Sequence, residues 1–132
     1  MALDLARWPM SADLPLVGEA RSASCGSRMR VGIELDADGA VSHIGIAAQA
    51  CAIGQAAASL MARCAAGRTR QDFIKAETEI VVWLGAQGAL PEWPGLEALA
   101  AVRDYPGRHG AFLLGWRAVL QAMAAQNEEQ GS

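Results

Sequence analysis

The sequence predicts an α+β fold, a small three-stranded antiparallel sheet with helices packed on one face. Three observations predict it. Residues 28–36 alternate between apolar and charged, the period turns helical after Cys51, and strands precede helices with no βαβ alternation.

In the clean strand, Met29, Val31, Ile33 and Leu35 share one face, and Arg28, Arg30, Glu34 and Asp36 the other. Asp36-Ala37-Asp38-Gly39 supplies turn chemistry, so Val41 to Ala47 reads as the returning strand of a hairpin. A preceding strand falls near Glu19 to Ala23. After Cys51, the residues Ile53, Ala57, Leu60 and Cys64 share a helical face, and Gly67 stands where a glycine stops a helix. Thr69, with Asp72 three residues on, resembles an N-cap for a second helix carrying Phe73, Ile74, Glu77, Ile80, Val81 and Leu84, which Gly85 and Gly88 end. Pro91 to Gly95 reads as a loop and Leu96, Leu99 and Val102 as a short helix. A last helix begins near Pro106, bears Phe112, Trp116, Val119, Leu120 and Met123 on one stripe, and gives way to a polar tail from Gln126 to Ser132.

A chain of 132 residues fits a single domain, residues 1–132 with a core of about 18–125. With 19% charged residues and a net charge of −3 it lacks the polycationic footprint that nucleic acid needs, so no nucleic-acid partner is expected. From Ile44 to Ala62 there is no charged residue, yet the stretch is alanine-rich, carries Gln49, Gln55 and Ser59 and changes period midway, so no membrane span is expected. The start of the chain does not read as a signal peptide, and the expected location is cytoplasmic. Three cysteines, an odd number, point to free thiols or metal ligands rather than a disulfide framework.

Cys25 precedes the clean strand, on a loop at the sheet's end. Cys51 stands at a strand-to-helix junction, where unpaired N–H groups and the positive end of the helix dipole favour a thiolate. The topology returns the chain from Cys25 to Cys51 through one hairpin, which lets the two approach. Buried packing is the ordinary role of a free cysteine. Cys64, on the apolar helix stripe, reads as core. His43 reads as a surface histidine, and His109 as a cap or surface residue with metal binding the weaker reading. No Walker loop, dinucleotide fingerprint, His-Glu-x-x-His or Cys-x-x-Cys is present, and the four tryptophans read as core or loop anchors.

Cys25-Gly26-Ser27 before the strand resembles the motif of NifU/IscU-type iron-sulfur cluster assembly scaffolds, in which a cysteine, a glycine and an aspartate lead in. Ala50-Cys51-Ala52-Ile53-Gly54-Gln55-Ala56-Ala57-Ala58-Ser59-Leu60-Met61 resembles that family's cysteine-led helix start, and the segment from Leu99 to Trp116 resembles the approach to its third cysteine. Trp116 matches a tryptophan common in the SufU-like branch. The resemblance runs from Cys25 to Met123 and implies a metal site of three cysteines and an aspartate, holding a 2Fe-2S cluster or zinc. In this chain Ser27 stands at the aspartate position and Ala111 at the third cysteine, leaving Cys25 and Cys51. His109 is two residues from Ala111, about 200° round a helix, and points elsewhere. The resemblance also implies that the chain carries little of the family's leading helix.

Three functions follow as expectations, none requiring an enzyme. The chain is a scaffold or carrier binding a cluster through Cys25 and Cys51, with a homodimer supplying four thiolates. Alternatively, Cys51 accepts a persulfide from a cysteine desulfurase, or the fold persists as a non-catalytic interaction protein. Cysteine desulfurase and cluster-accepting proteins are the partners the resemblance implies.

Overall fold

The computed structural model describes residues 5, 7–23, 26–85 and 87–131, with side chains described through Ala125. Its order is β1 (Leu16–Arg21), β2 (Arg28–Leu35), β3 (Val41–Gln49), α1 (Ala52–Arg63), α2 (Arg70–Leu84), two 3₁₀ segments (Leu96–Asp104 and Pro106–Arg108) and α3 (His109–Gly131). The strands form an antiparallel sheet in the order β1-β2-β3. β1 starts earlier than the sequence suggests and ends at Arg21, because Ser22 already belongs to the turn. Its N–H donates to the Ser27 carbonyl at 2.8 Å.

Alternation in β2 places Met29, Val31 and Ile33 fully in the core and turns Arg28, Arg30 and Glu34 outward. The helices cover the inner face, with α3 lying across β1 and β2. That approach needs Gly18. A Cβ there would stand 2.1 Å from the Ala118 carbonyl oxygen and 2.5 Å from the Ala122 nitrogen, both on α3.

α1 is alanine-rich because it is buried from Ala56 to Ala62. Its small residues meet those of α3 along a seam: a Cβ on Gly54 would stand 3.5 Å from the Ala111 Cβ, and one on Gly115 3.7 Å from the Ala58 Cβ. α2 opens with the capping box read from Thr69 and Asp72, in which the Asp72 N–H donates to Thr69 Oγ1 and the Thr69 N–H to Asp72 Oδ2. Its buried stripe is Phe73, Ala76, Ile80, Trp83 and Leu84. Ile74 and Val81, which helical spacing assigned to the stripe, lie on the open side instead.

Phe73, Trp93, Trp116, Phe112 and Trp83 form a chain of ring contacts at the centre of the helical layer, 5.4 to 6.2 Å between centroids. Trp93 Nε1 donates to the Leu60 carbonyl at 3.0 Å, tying the loop before the 3₁₀ segment to α1. α3 starts three residues after Pro106 and carries its expected stripe, with Phe112, Trp116, Val119 and Met123 buried and Leu120 half-buried. The backbone stays helical to Gly131, through the segment read as a polar tail. Across Ile44 to Ala62, β3 gives way to α1, and no helix among the described residues is long and apolar enough to cross a membrane.

Candidate functional site

Three chain segments meet at one corner of the molecule. The first is the turn between β1 and β2, drawn tight by the Ser22–Ser27 bond and by the Gly26 N–H donating to the Ser22 carbonyl at 3.1 Å. Gly26 has φ +72, a conformation side chains resist, which explains a glycine there. Ser27 is buried, as is Ser22. Cys25 falls outside the described residues.

The second segment is the junction of β3 and α1. Arg28 pairs with Gln49 at the end of the β2–β3 ladder, so Ser27 and Ala50 leave the sheet at the same end. Cys51 is the N-cap of α1, with extended φ and ψ of −65 and 169 and a half-buried free thiol. Its carbonyl accepts from the Gln55 N–H at 3.0 Å, while Gln55 Nε2 donates to the Ala50 carbonyl at 2.9 Å. Gln55 therefore clasps the junction on both sides of the cysteine, a role the sequence signals only by its place four residues on. The first turn of α1 holds no acidic residue.

The third segment is the start of α3. A Cβ on Gly110 would stand 2.9 Å from Ser22 Oγ, and Ala111, fully buried, lies against Gly54 of the first turn of α1. Nothing in the sequence pairs Ser22 with Gly110. The corner thus gathers Ser27, Cys51 and Ala111 around the starts of two helices.

The other candidates lie apart or are engaged. His109 Nε2 lies 3.0 Å from the Val102 carbonyl oxygen, to which it donates. His43 is exposed and paired with Glu34 at 3.1 Å. Cys64, read as core, is half-buried at the C-cap of α1 and packs against the core cluster.

Chemically, the corner offers one described thiol, the buried hydroxyls of Ser22 and Ser27, and a methyl that donates nothing. Among the described residues no three His, Cys, Asp or Glu side chains are grouped to hold a metal ion. A cluster or structural zinc is normally held by four donors, so the described residues of one chain do not complete such a site.

A three-stranded antiparallel sheet backed by helices, with a cysteine capping the helix that leaves its last strand, defines a class of small thiol-bearing α+β domains. Within that class the chain belongs to the NifU-like N-terminal domain family, whose profile matches residues 9–111. The crystal structure of a nitrogen-fixing NifU-like protein (N-terminal) from Brucella abortus is 31% identical, with a TM-score of 0.88 over 97% of this chain and 90% of that one. A protein from the thermophile Fervidobacterium islandicum AW-1, assigned as an iron-sulfur cluster assembly scaffold for the SUF system, shares the fold at 20% identity and a TM-score of 0.78, over 92% of this chain and 93% of that one. No curated protein matches the sequence.

Proposed function

We propose that this protein, acting as one domain in the cytoplasm, serves iron-sulfur cluster assembly as a scaffold or carrier. The cluster is its cargo, taken up through the thiolates of Cys51 and, from the sequence, Cys25. The observation that carries the reading is the position of Cys51, capping α1 where the Ser27 turn and the start of α3 converge. Because Ala111 removes a donor, two chains each contribute a thiolate pair, and a 2Fe-2S cluster is held between them. The family and the assignment of the Fervidobacterium protein support this reading. Anaerobic reconstitution with iron and sulfide tests it. The expected result is a visible cluster band that co-elutes with a dimer and disappears in Cys51→Ala; the absence of any band in reconstituted wild-type protein refutes it.

A second reading is favoured by one observation, that no three metal-binding side chains are grouped among the described residues while Ala111 stands at the position the resemblance gives to a third cysteine. Cys51 then accepts sulfur from a cysteine desulfurase. Its thiolate attacks the outer sulfur of the desulfurase persulfide, the persulfide S–S bond breaks, and the enzyme's cysteine leaves as thiolate. A mass gain of one sulfur on Cys51 after incubation with desulfurase and cysteine, absent in Cys51→Ala, is the expected result. The receiving partners are then cluster-accepting proteins.

A further inference from the structure

The outer face of the sheet is divided in two. Toward the β2–β3 turn it is covered by the segment before β1: Cβ atoms on the paired glycines Gly32 and Gly45 would stand 2.9 and 2.8 Å from Leu14 Cδ1. Toward the corner that holds Cys51, the face opens into a groove of about 440 Å³ lined by Arg21, Arg28, Arg30, Glu19 and Gln49, with the small side chain of Ala47 leaving space beside them.

The charges there are arranged unusually. Arg21 and Arg28 are direct cross-strand partners, as are Glu19 and Arg30. Glu19 pairs with Arg21 at 3.0 Å, and Arg28 Nε donates to the neutral Gln49 Oε1 at 2.7 Å. Arg30 has no side-chain partner among the described residues and is exposed. Three guanidinium groups and one carboxylate leave two uncompensated positive charges, on a chain whose net charge is −3. Like charges directly opposite one another destabilise a sheet, and a local conflict with no structural return marks a functional surface.

We propose that this groove docks an extended acidic segment of the protein that exchanges cargo with Cys51. Spacing selects the occupant. Arg28 and Arg30 are two residues apart on one strand, about 7 Å along it, and carboxylates on alternate residues of an extended chain recur at the same interval. Among the described residues the groove's polar lining is exposed or half-buried, with no buried polar side chain to seat a compact anion. Gln49, at the groove's end, is two residues before Cys51, so the groove runs to the end of the sheet from which the cysteine-capped helix leaves. The role of the thiol rests on the function proposed above; the docking itself is measured independently of it.

The test uses the full chain and a fluorescein-labelled peptide of alternating Glu and Thr, followed by anisotropy at low and at physiological salt. The expected result is saturable binding that weakens with salt and falls at least tenfold in the R28E/R30E double variant, which in turn gains binding to an alternating Lys and Thr peptide. In R28E/R30E the pair across from Arg21 becomes attractive and the pair across from Glu19 repulsive, so a circular dichroism spectrum and a urea midpoint matching wild type check that the fold is kept. Wild type that ignores the acidic peptide, or R28E/R30E that binds it equally well, overturns the proposal. So does displacement of the peptide by inorganic pyrophosphate or a single-stranded oligonucleotide at matching concentrations, which makes the groove a general anion site. Peptide binding that persists when cluster and persulfide assays fail refutes the thiol's role and leaves the docking surface intact.

Discussion

The Ala111 methyl is fully buried and lies against Gly54, one turn into the helix that Cys51 caps. A cysteine at this position directs a thiol into the corner that also holds Cys51 and Ser27. Ala111→Cys combined with Ser27→Asp is therefore expected to raise bound zinc toward one ion per chain, read by metal analysis of freshly purified protein. Ala111→Cys alone overfills the seam between α1 and α3, and is expected to cost about 1–3 kcal/mol in urea unfolding. The place of Cys51 was legible in the sequence, because the period changes there from two to 3.6. Cys64, for which the stripe predicts a core position, packs half-buried against that core. A helical stripe shows which residues share a side, but the end of α1 at Arg63 decides which of them stay covered. His109 illustrates the same limit: its bond to the Val102 carbonyl depends on how the 3₁₀ segment folds back on α3.

Among the elements, α2 announces itself through its cap. Thr69→Ala removes the acceptor for the Asp72 N–H and is expected to lower stability by about 1 kcal/mol, seen as a shifted urea midpoint at unchanged slope. The close packing of β1 on α3 gives a sharper prediction. Any side chain at Gly18 collides with helix backbone rather than with a movable side chain, so Gly18→Ala is expected to cost about 3 kcal/mol or more and to expose dye-binding surface. Local chemistry defined β2, its hairpin and the start of α2, since alternation, turn residues and a capping box are local signals. It misplaced β1, whose limits come from pairing with β2. The reading of Gln126 to Ser132 as a tail weighed polarity alone. Glutamine and glutamate are good helix formers, and an anchored helix extends through them.

At the scale of the whole molecule, a layer of helices centred on the aromatic chain from Phe73 to Trp83 closes the inner face of the sheet, leaving half of the outer face open and basic. Arg28→Gln removes the repulsion across the strands from Arg21 and is expected to leave stability unchanged or raise it by up to about 1 kcal/mol in thermal unfolding. A gain in stability together with a loss of acidic-peptide binding is the signature of a surface kept for a partner. The sequence by itself determined the fold class, the strand-to-helix switch at Cys51 and the resemblance to a family, because periodicity, capping and motif order are written along the chain. Only the tertiary structure decided that Ala111 and Gly54 share a small-residue seam, that Ser22 lies against Gly110, and that Arg21 joins Arg28 and Arg30, which alternation already put on one face, at one groove. Each of these rests on segments distant in sequence, brought together by strand register and helix packing, for which no local pattern codes.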